Sequence, residues 1–243
     1  MKLQQLYSYT RKAIDHYQLI ESGDKIAIGI SGGKDSLALL YALSGLRRYY
    51  PKHFSIYAVT VDLGFQNLNL DKIVSLCKEL NVPYKVIRTN IGEIVFRDRK
   101  EDNPCALCSK MRKGALNNAM KELGCNKVAY AHHKDDVVTT MMMSLIYEGR
   151  LHTFSPVTYL DRADMTVIRP LIYMNEADVI GFVNKYHVPV VKSPCPADKH
   201  TKREYVHQML QQLNRENPGV KDRMFTAILN SDMEGWSNRY GQE

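Results

Sequence analysis

The sequence predicts an α/β fold: three layers, α/β/α, around a mostly parallel sheet, with a helical extension at the C-terminal end. Three observations predict it. Short apolar, β-branched runs recur along the chain, stretches of helical period separate them, and 44% of the 243 residues are hydrophobic, enough for a sizeable core. Strands that alternate with helices pair in parallel through right-handed crossovers.

The elements follow in order. Residues 2–20 read as an amphipathic helix, with Leu3, Leu6, Ala13, Ile14 and Tyr17 near one stripe. Lys25–Ile30 is short, apolar and β-branched after a Gly23-Asp24 turn, the pattern of a buried strand. Residues 31–36 form a loop and 37–49 a helix. A second strand covers 54–62, and an amphipathic helix over 70–80 is stopped by Asn81 and Pro83. A third strand covers 84–89. Residues 97–104 are charged and irregular, and 108–123 form a helix that ends at Gly124. The fourth strand covers 127–131, followed by a helix over 137–148. Residues 157–160 and 165–168 read as a hairpin, or as part of a longer loop. Asn175 caps a helix over 175–186, and two more helices cover 201–213 and 220–232. No repeat or linker interrupts the pattern. The expectation is one Rossmann-like domain over 1–243, with 1–22 and 199–243 as helical appendages.

Composition bounds the partners. A formal net charge of +7 is compatible with a polyanion and does not by itself establish one. No basic-apolar leader opens the chain, and no apolar run approaches the roughly 20 residues of a membrane span. A cytoplasmic protein without membrane contact is expected. Five cysteines in such a chain point to reduced thiols.

In a parallel sheet, ligands bind beyond the carboxyl ends of the strands. That edge collects Ser31–Ser36, Asp62 and His132–Asp136, since each follows a strand. The Ser31-Gly32-Gly33-Lys34-Asp35-Ser36 loop joins a buried strand to a helix. Adjacent glycines let the backbone approach phosphate oxygens, and the helix N-terminus favours an anion. Ser31, Lys34 and Ser36 add donors. Asp35 makes sense beside a Mg2+ that bridges phosphates. The Walker A spacing is absent. The loop resembles the PP-loop of the N-type ATP pyrophosphatases, whose fold is adenine nucleotide alpha hydrolase-like. That resemblance implies cleavage of ATP between the α- and β-phosphates and transfer of AMP to a carbonyl oxygen. It also implies that Lys34 and the loop amides hold pyrophosphate, and that Asp62 lies near the adenosine. His132-His133-Lys134-Asp135-Asp136 opens a later helix. His132 and Asp136 lie one turn apart, and a phosphate-bridging metal suits such a carboxylate. Related enzymes carry a similar His-His-x-Asp-Asp run.

Cys105 and Cys108 form a C-x-x-C, and Cys195 stands far downstream between Pro194 and Pro196. Three thiolates can hold three irons of a 4Fe-4S cluster and leave the fourth open to carry hydrosulfide. Zinc with a histidine, or a persulfide with a resolving cysteine, remain alternatives on spacing alone. Cys77 continues an apolar helical stripe and Cys125 sits in a turn, so both read as structural.

Together, the PP-loop, the C-x-x-C, the His-His-x-Asp-Asp run and the distant cysteine resemble the tRNA 2-thiocytidine synthetase group over residues 25–213. Arg169 before Pro170-Leu171 matches that group's Arg-Pro-Leu segment, whereas Pro196-Ala197-Asp198 after Cys195 departs from its usual Gly-Ser-Gln. The resemblance implies Cys105, Cys108 and Cys195 as iron–sulfur ligands, with tRNA as substrate. It also implies a sulfur donor, sulfide or a cysteine desulfurase; a homodimer is a candidate assembly. Arg112 and Lys113 near the C-x-x-C, and Lys202 and Arg203 after Cys195, are the candidate RNA contacts. Two other readings compete. One is a PP-loop ligase or amidotransferase acting on a small carbonyl substrate, with zinc. The other is a non-catalytic ATP- and RNA-binding cluster protein.

Overall fold

The apolar runs meet in one six-stranded sheet. In chain order the strands are β1 (Lys25–Gly29), β2 (Ser55–Asp62), β3 (Tyr84–Arg88), β4 (Lys127–Ala129), β5 (Val157–Leu160) and β6 (Met165–Ile168). In space they run β3-β2-β1-β4-β6-β5. Every neighbouring pair is parallel except the β5–β6 hairpin, which pairs Val157 with Ile168 and Leu160 with Met165. The computed structural model describes residues 1–65, 68–99, 104–191, 195 and 201–236.

The helices are α1 (Leu3–His16), α2 (Lys34–Leu46), α3 (Asp71–Glu79), α4 (Ile91–Glu93), α5 (Pro104–Glu122), α6 (Lys134–Glu148), α7 (Glu176–Lys185), α8 (Lys202–Glu216) and α9 (Val220–Leu229). Strand side chains alternate between two cores, as a period of two requires. Ile26 and Ile28 enter the larger core, with Leu6, Leu39, Val137, Phe182, Val206 and Phe225. Ala27 and Val59 face the smaller one, closed by Leu116, Ala119 and Met120 of α5. Among the described residues, no helix is long and apolar enough to cross a membrane.

Three helices begin earlier than the apolar periodicity predicts. α2 starts at Lys34 rather than residue 37, α5 at Pro104 rather than 108, and α6 at Lys134 rather than 137. Their first turns carry polar residues or proline, which read as loop in the sequence but suit a helix N-terminus. The region read as irregular over 97–104 is partly helical. α4 runs into a π-helical turn over Ile94–Asp98, and Lys100–Asn103 lie outside the described residues.

The order of strands reverses direction between β1 and β4. From β1 the chain moves to β2 on one side, and from β4 it moves to the β5–β6 hairpin on the other. The segments leaving β1 and β4 therefore flank a crevice at the carboxyl edge, the usual ligand position in such sheets.

Candidate active site

Beyond β1, Ile30 N–H still donates to the Val59 carbonyl at 2.8 Å, and then the chain turns. Gly32 has φ +84°, and a Cβ there would lie 3.2 Å from the Val191 Cβ. The Val191 N–H donates to the Gly32 carbonyl at 2.9 Å and holds the two segments together, and the positive φ and the close Val191 Cβ both favour glycine here. The Ser31 and Ser36 hydroxyls lie 3.2 Å apart, and Ser36 also donates to the Gly33 carbonyl at 3.0 Å. Gly33 is the N-cap of α2 and offers no side chain to its first N–H groups. Those donors are left to an anion.

The segment leaving β4 makes a second helix start. His133 caps α6, and its N–H donates to Asp136 Oδ2 at 3.0 Å. The His133 ring lies between carboxylates: Nε2 is 3.6 Å from Asp35 Oδ1, and Nδ1 is 3.5 Å from Asp136 Oδ2. Among the described residues, Asp35 Oδ1 and His133 Nδ1 are buried without a hydrogen-bond partner.

The two helix starts open onto a cavity of about 440 Å3. Lys34 and Asp35 of α2 line it, with His133, Asp135 and Asp136 from the start of α6 and Glu176 from α7. Cys105 and Arg112 of α5 reach it from the other side, and Cys195, Arg203, Glu204 and His207 complete it. Lys34 Nζ is held by Asp35 at 3.1 Å and by Glu176 at 3.0 Å. Arg203 Nη2 pairs with Asp136 Oδ1 at 2.7 Å, and Asp135 pairs with Lys221. Burial works against both charges. It lowers the Lys34 pKa, but Asp35 and Glu176 outweigh it and hold the ammonium above its ordinary value. It raises the Asp136 pKa, but His133 and Arg203 outweigh it and the carboxyl lies below the usual range.

Cys105 and Cys108 are three residues apart in the first turns of α5, the spacing of neighbours on one helix surface. Cys105 is exposed, whereas Cys108 is buried against Ile91 and Val95. Burial pushes the Cys108 thiol up while Arg112, hydrogen-bonded to it, pulls it down; Cys105 and Cys195 are close enough to act on its charge. Cys77 and Cys125 are buried elsewhere, and burial alone pushes Cys77 up to about 11.

Not every candidate reaches the cavity. His132 is half-buried and does not line it; its ring lies tilted against Phe154, and it accepts from Arg169 Nε at 3.3 Å. Burial pulls its pKa down to about 4, so it is neutral at pH 7. Asp62 accepts from the Gly64 N–H at 2.9 Å in a turn beyond β2. Ser31, Gly32, Gly33 and Ser36 shape the loop without lining the cavity. Of the basic candidates, Arg112 and Arg203 line it; Lys113 is exposed outside it, and Lys202 lies 4.9 Å from the Tyr147 ring. Lys192, Lys199 and His200, and the neighbours of Cys195 over 193–194 and 196–198, lie outside the described residues. The sequence reading did not single out Glu176, Glu204 or His207. Glu176 carried a usable signal, because it opens a helix a few residues beyond β6 and so stands at the ligand-bearing edge.

The PP-loop domain family matches residues 3–213. The tRNA-cytidine(32) 2-sulfurtransferase of Geobacter sulfurreducens is 35% identical over 222 residues, which cover 90% of this chain and 86% of that protein. Its counterpart in Geobacter metallireducens is 36% identical over 224 residues, again with 90% and 86% covered. This chain belongs to the tRNA-cytidine 2-sulfurtransferase family of PP-loop proteins. Among solved structures, the U34-tRNA thiolase NcsA of Methanococcus maripaludis, described with its 4Fe-4S cluster, matches with a TM-score of 0.74 at 26% identity. The match covers 90% of this chain and 76% of that one.

For a tRNA-cytidine 2-sulfurtransferase relative, the thiols can be tested against such a cluster. The donor set fits in kind: Cys105 and Cys195 line the cavity, and Cys108, outside the lining, is close enough to both to feel their charge, although burial outweighs the Arg112 guanidinium and leaves its thiol raised. Among the described residues, no three His, Cys, Asp or Glu side chains stand close enough to enclose a metal ion.

Proposed function

We propose that this ATP-dependent tRNA sulfurtransferase adenylates the 2-carbonyl oxygen of a cytidine and replaces that oxygen with sulfur. One observation carries the reading: Lys34 of the PP-loop and the thiol-bearing residues Cys105 and Cys195 line the same cavity. Oxygen activation and sulfur delivery must happen at one base, so the two groups must lie within a base's reach.

The base oxygen attacks the α-phosphorus of ATP, an O–P bond forms, and pyrophosphate leaves. Lys34 and the open N–H groups of α2 hold that pyrophosphate, supplying charge where it develops. The orphaned Asp35 Oδ1 is the oxygen that would bind Mg2+. A sulfur nucleophile then attacks C2, the C–O bond breaks, and AMP departs with the oxygen. Hydrosulfide from free sulfide already has the oxidation state of the product, so the exchange needs no reductant. Cys105, Cys108 and Cys195 would hold the iron–sulfur cluster, which supplies an iron without a protein ligand on which sulfide can be carried. Arg112 and Arg203 at the rim, with Lys113 and Lys202 beside them, would position the tRNA backbone. The target base must be unpaired or flipped to enter.

The test is direct. The protein is reconstituted anaerobically with iron and sulfide, incubated with ATP and bulk tRNA, and the tRNA is digested for thionucleosides. Formation of 2-thiocytidine is expected, and Lys34→Ala should reduce it at least a hundredfold. A wild-type preparation with a full cluster that yields AMP but no thiolated nucleoside refutes sulfur transfer.

A further inference from the structure

Glu176, one of the two residues that hold Lys34, is itself held from several helices. Glu176 Oε1 is 3.0 Å from Lys34 Nζ. Its own N–H donates to Asp135 Oδ2 at 2.7 Å, and the other Asp135 oxygen is pinned by Lys221 of α9. Its second carboxylate oxygen faces the His207 imidazole of α8 at 3.4 Å. Glu176 is thus fixed from α6, α8 and α9, while Lys34 reaches it on a flexible four-carbon stem.

This arrangement conflicts with the task of Lys34. An ammonium that must meet pyrophosphate is already paired with two carboxylates, its neighbour Asp35 and, from across the cavity, Glu176, and Glu176 stays in place when the phosphate arrives. Two anions sharing one lysine stand close enough for their charges to repel, so each weakens the hold of the other on the ammonium. A residue that only stabilised bound ATP would not be built this way. A residue that keeps the lysine charged and aimed between turnovers, and weakens the hold on the leaving pyrophosphate, would be.

We propose that Glu176 is a positioning residue that acts as a stand-in for phosphate: it holds Lys34 over the cavity until ATP takes the lysine, then competes with pyrophosphate for it and so speeds product release. The facing His207 leaves the carboxylate a partner while the lysine is engaged. The proposal rests on the assignment of Lys34 to pyrophosphate and is independent of sulfur transfer.

The probe is inorganic pyrophosphate, titrated calorimetrically into the full chain in the presence of EDTA. Glu176→Gln keeps the shape of the side chain and removes its charge. It should bind pyrophosphate roughly tenfold more tightly than the wild type, and in steady-state turnover both kcat and KM for ATP should fall. A merely structural role would raise KM. In a Lys34→Met background the gain should shrink to less than about threefold, because no lysine remains to compete for. Unchanged or weaker pyrophosphate binding by Glu176→Gln overturns the proposal, as does an equal gain in both backgrounds, which would mean general charge repulsion. If Glu176→Gln does not fold, His207→Ala supplies the second measurement. It removes only the outer contact, and should weaken pyrophosphate binding by leaving Lys34 as the carboxylate's main partner; tighter binding contradicts the scheme. Failure to thiolate tRNA with these binding results intact would refute the thiolation reading alone.

Discussion

At the amino edge of the sheet, away from the cavity, the Asp24 carboxylate gathers three donors. Lys127 Nζ lies 2.7 Å from Oδ2, the Glu21 N–H donates to the same oxygen at 2.7 Å, and the Asn126 amide donates to Oδ1 at 2.7 Å. The side chains of Asp24 and Lys127 are 5% and 12% exposed. Burial raises the Asp24 pKa, but Lys127 and the hydrogen bonds outweigh it, and the carboxyl lies below its ordinary 3.8. A depressed folded-state value means that the stabilisation is fully present above the unfolded value and is lost as pH falls through the folded one. Asp24→Asn leaves Lys127 buried without its counter-ion and should cost about 3 kcal/mol at pH 7. Urea unfolding of both proteins checks this. The gap should hold steady from pH 7 to about pH 5 and narrow below 3.8; a gap that widens in acid contradicts the assignment.

Helix starts are the elements that build the site, and they decide how much of it the sequence could reveal. The turn at Gly32 is one whose residue requirement is sharp. Gly32→Ala meets both a positive φ and the Val191 contact, whereas Gly149 has φ +64° at the end of α6 with nothing within 4 Å of a new Cβ. Each substitution should cost about 1–2 kcal/mol of backbone strain. Only Gly32→Ala should also weaken ATP binding, by tenfold or more in an equilibrium titration, because its strain falls on the loop proposed to hold the phosphates. Equal loss of ATP affinity in both variants would show that the loop geometry is not what matters. The alternation of strands and helices was legible because apolar period carries it, and the β5–β6 hairpin falls at the bounds that period predicts. The first turns of α2, α5 and α6 were not legible as helix, because Lys34-Asp35-Ser36 and Lys134-Asp135-Asp136 satisfy a helix end through charge and capping rather than through apolar spacing. The ion pair of Lys34 with Glu176 depends on how α7 returns to the edge, which no local pattern encodes.

For the whole molecule, the question is what the C-terminal helices contribute to an active site that the family motifs place elsewhere in the chain. α8 supplies Arg203, Glu204 and His207 to the cavity, and α9 supplies Lys221 to Asp135. The same segment delivers Val206, Leu210, Phe225, Ile228 and Trp236 to the larger core, each at most 3% exposed. Burying five such side chains stabilises a fold by on the order of 10 kcal/mol, comparable with the whole net stability of a typical domain. A chain ending at residue 199 would expose the apolar side of α6 that these residues cover. It should lose its cooperative thermal transition and bind a hydrophobic dye strongly. Nucleotide binding should vanish with it, even though the PP-loop, His133 and Asp136 are all retained. A truncated chain that melts sharply and still binds ATP would mean that the sheet and its first seven helices suffice, and that α8 and α9 serve the tRNA or the sulfur chemistry alone. The structure argues for the opposite. Glu176, which shares Lys34 with Asp35, faces His207 of α8 through its carboxylate and is tied through its backbone N–H and Asp135 to α9, so the Lys34 end of the cavity is assembled only when the last helices are in place.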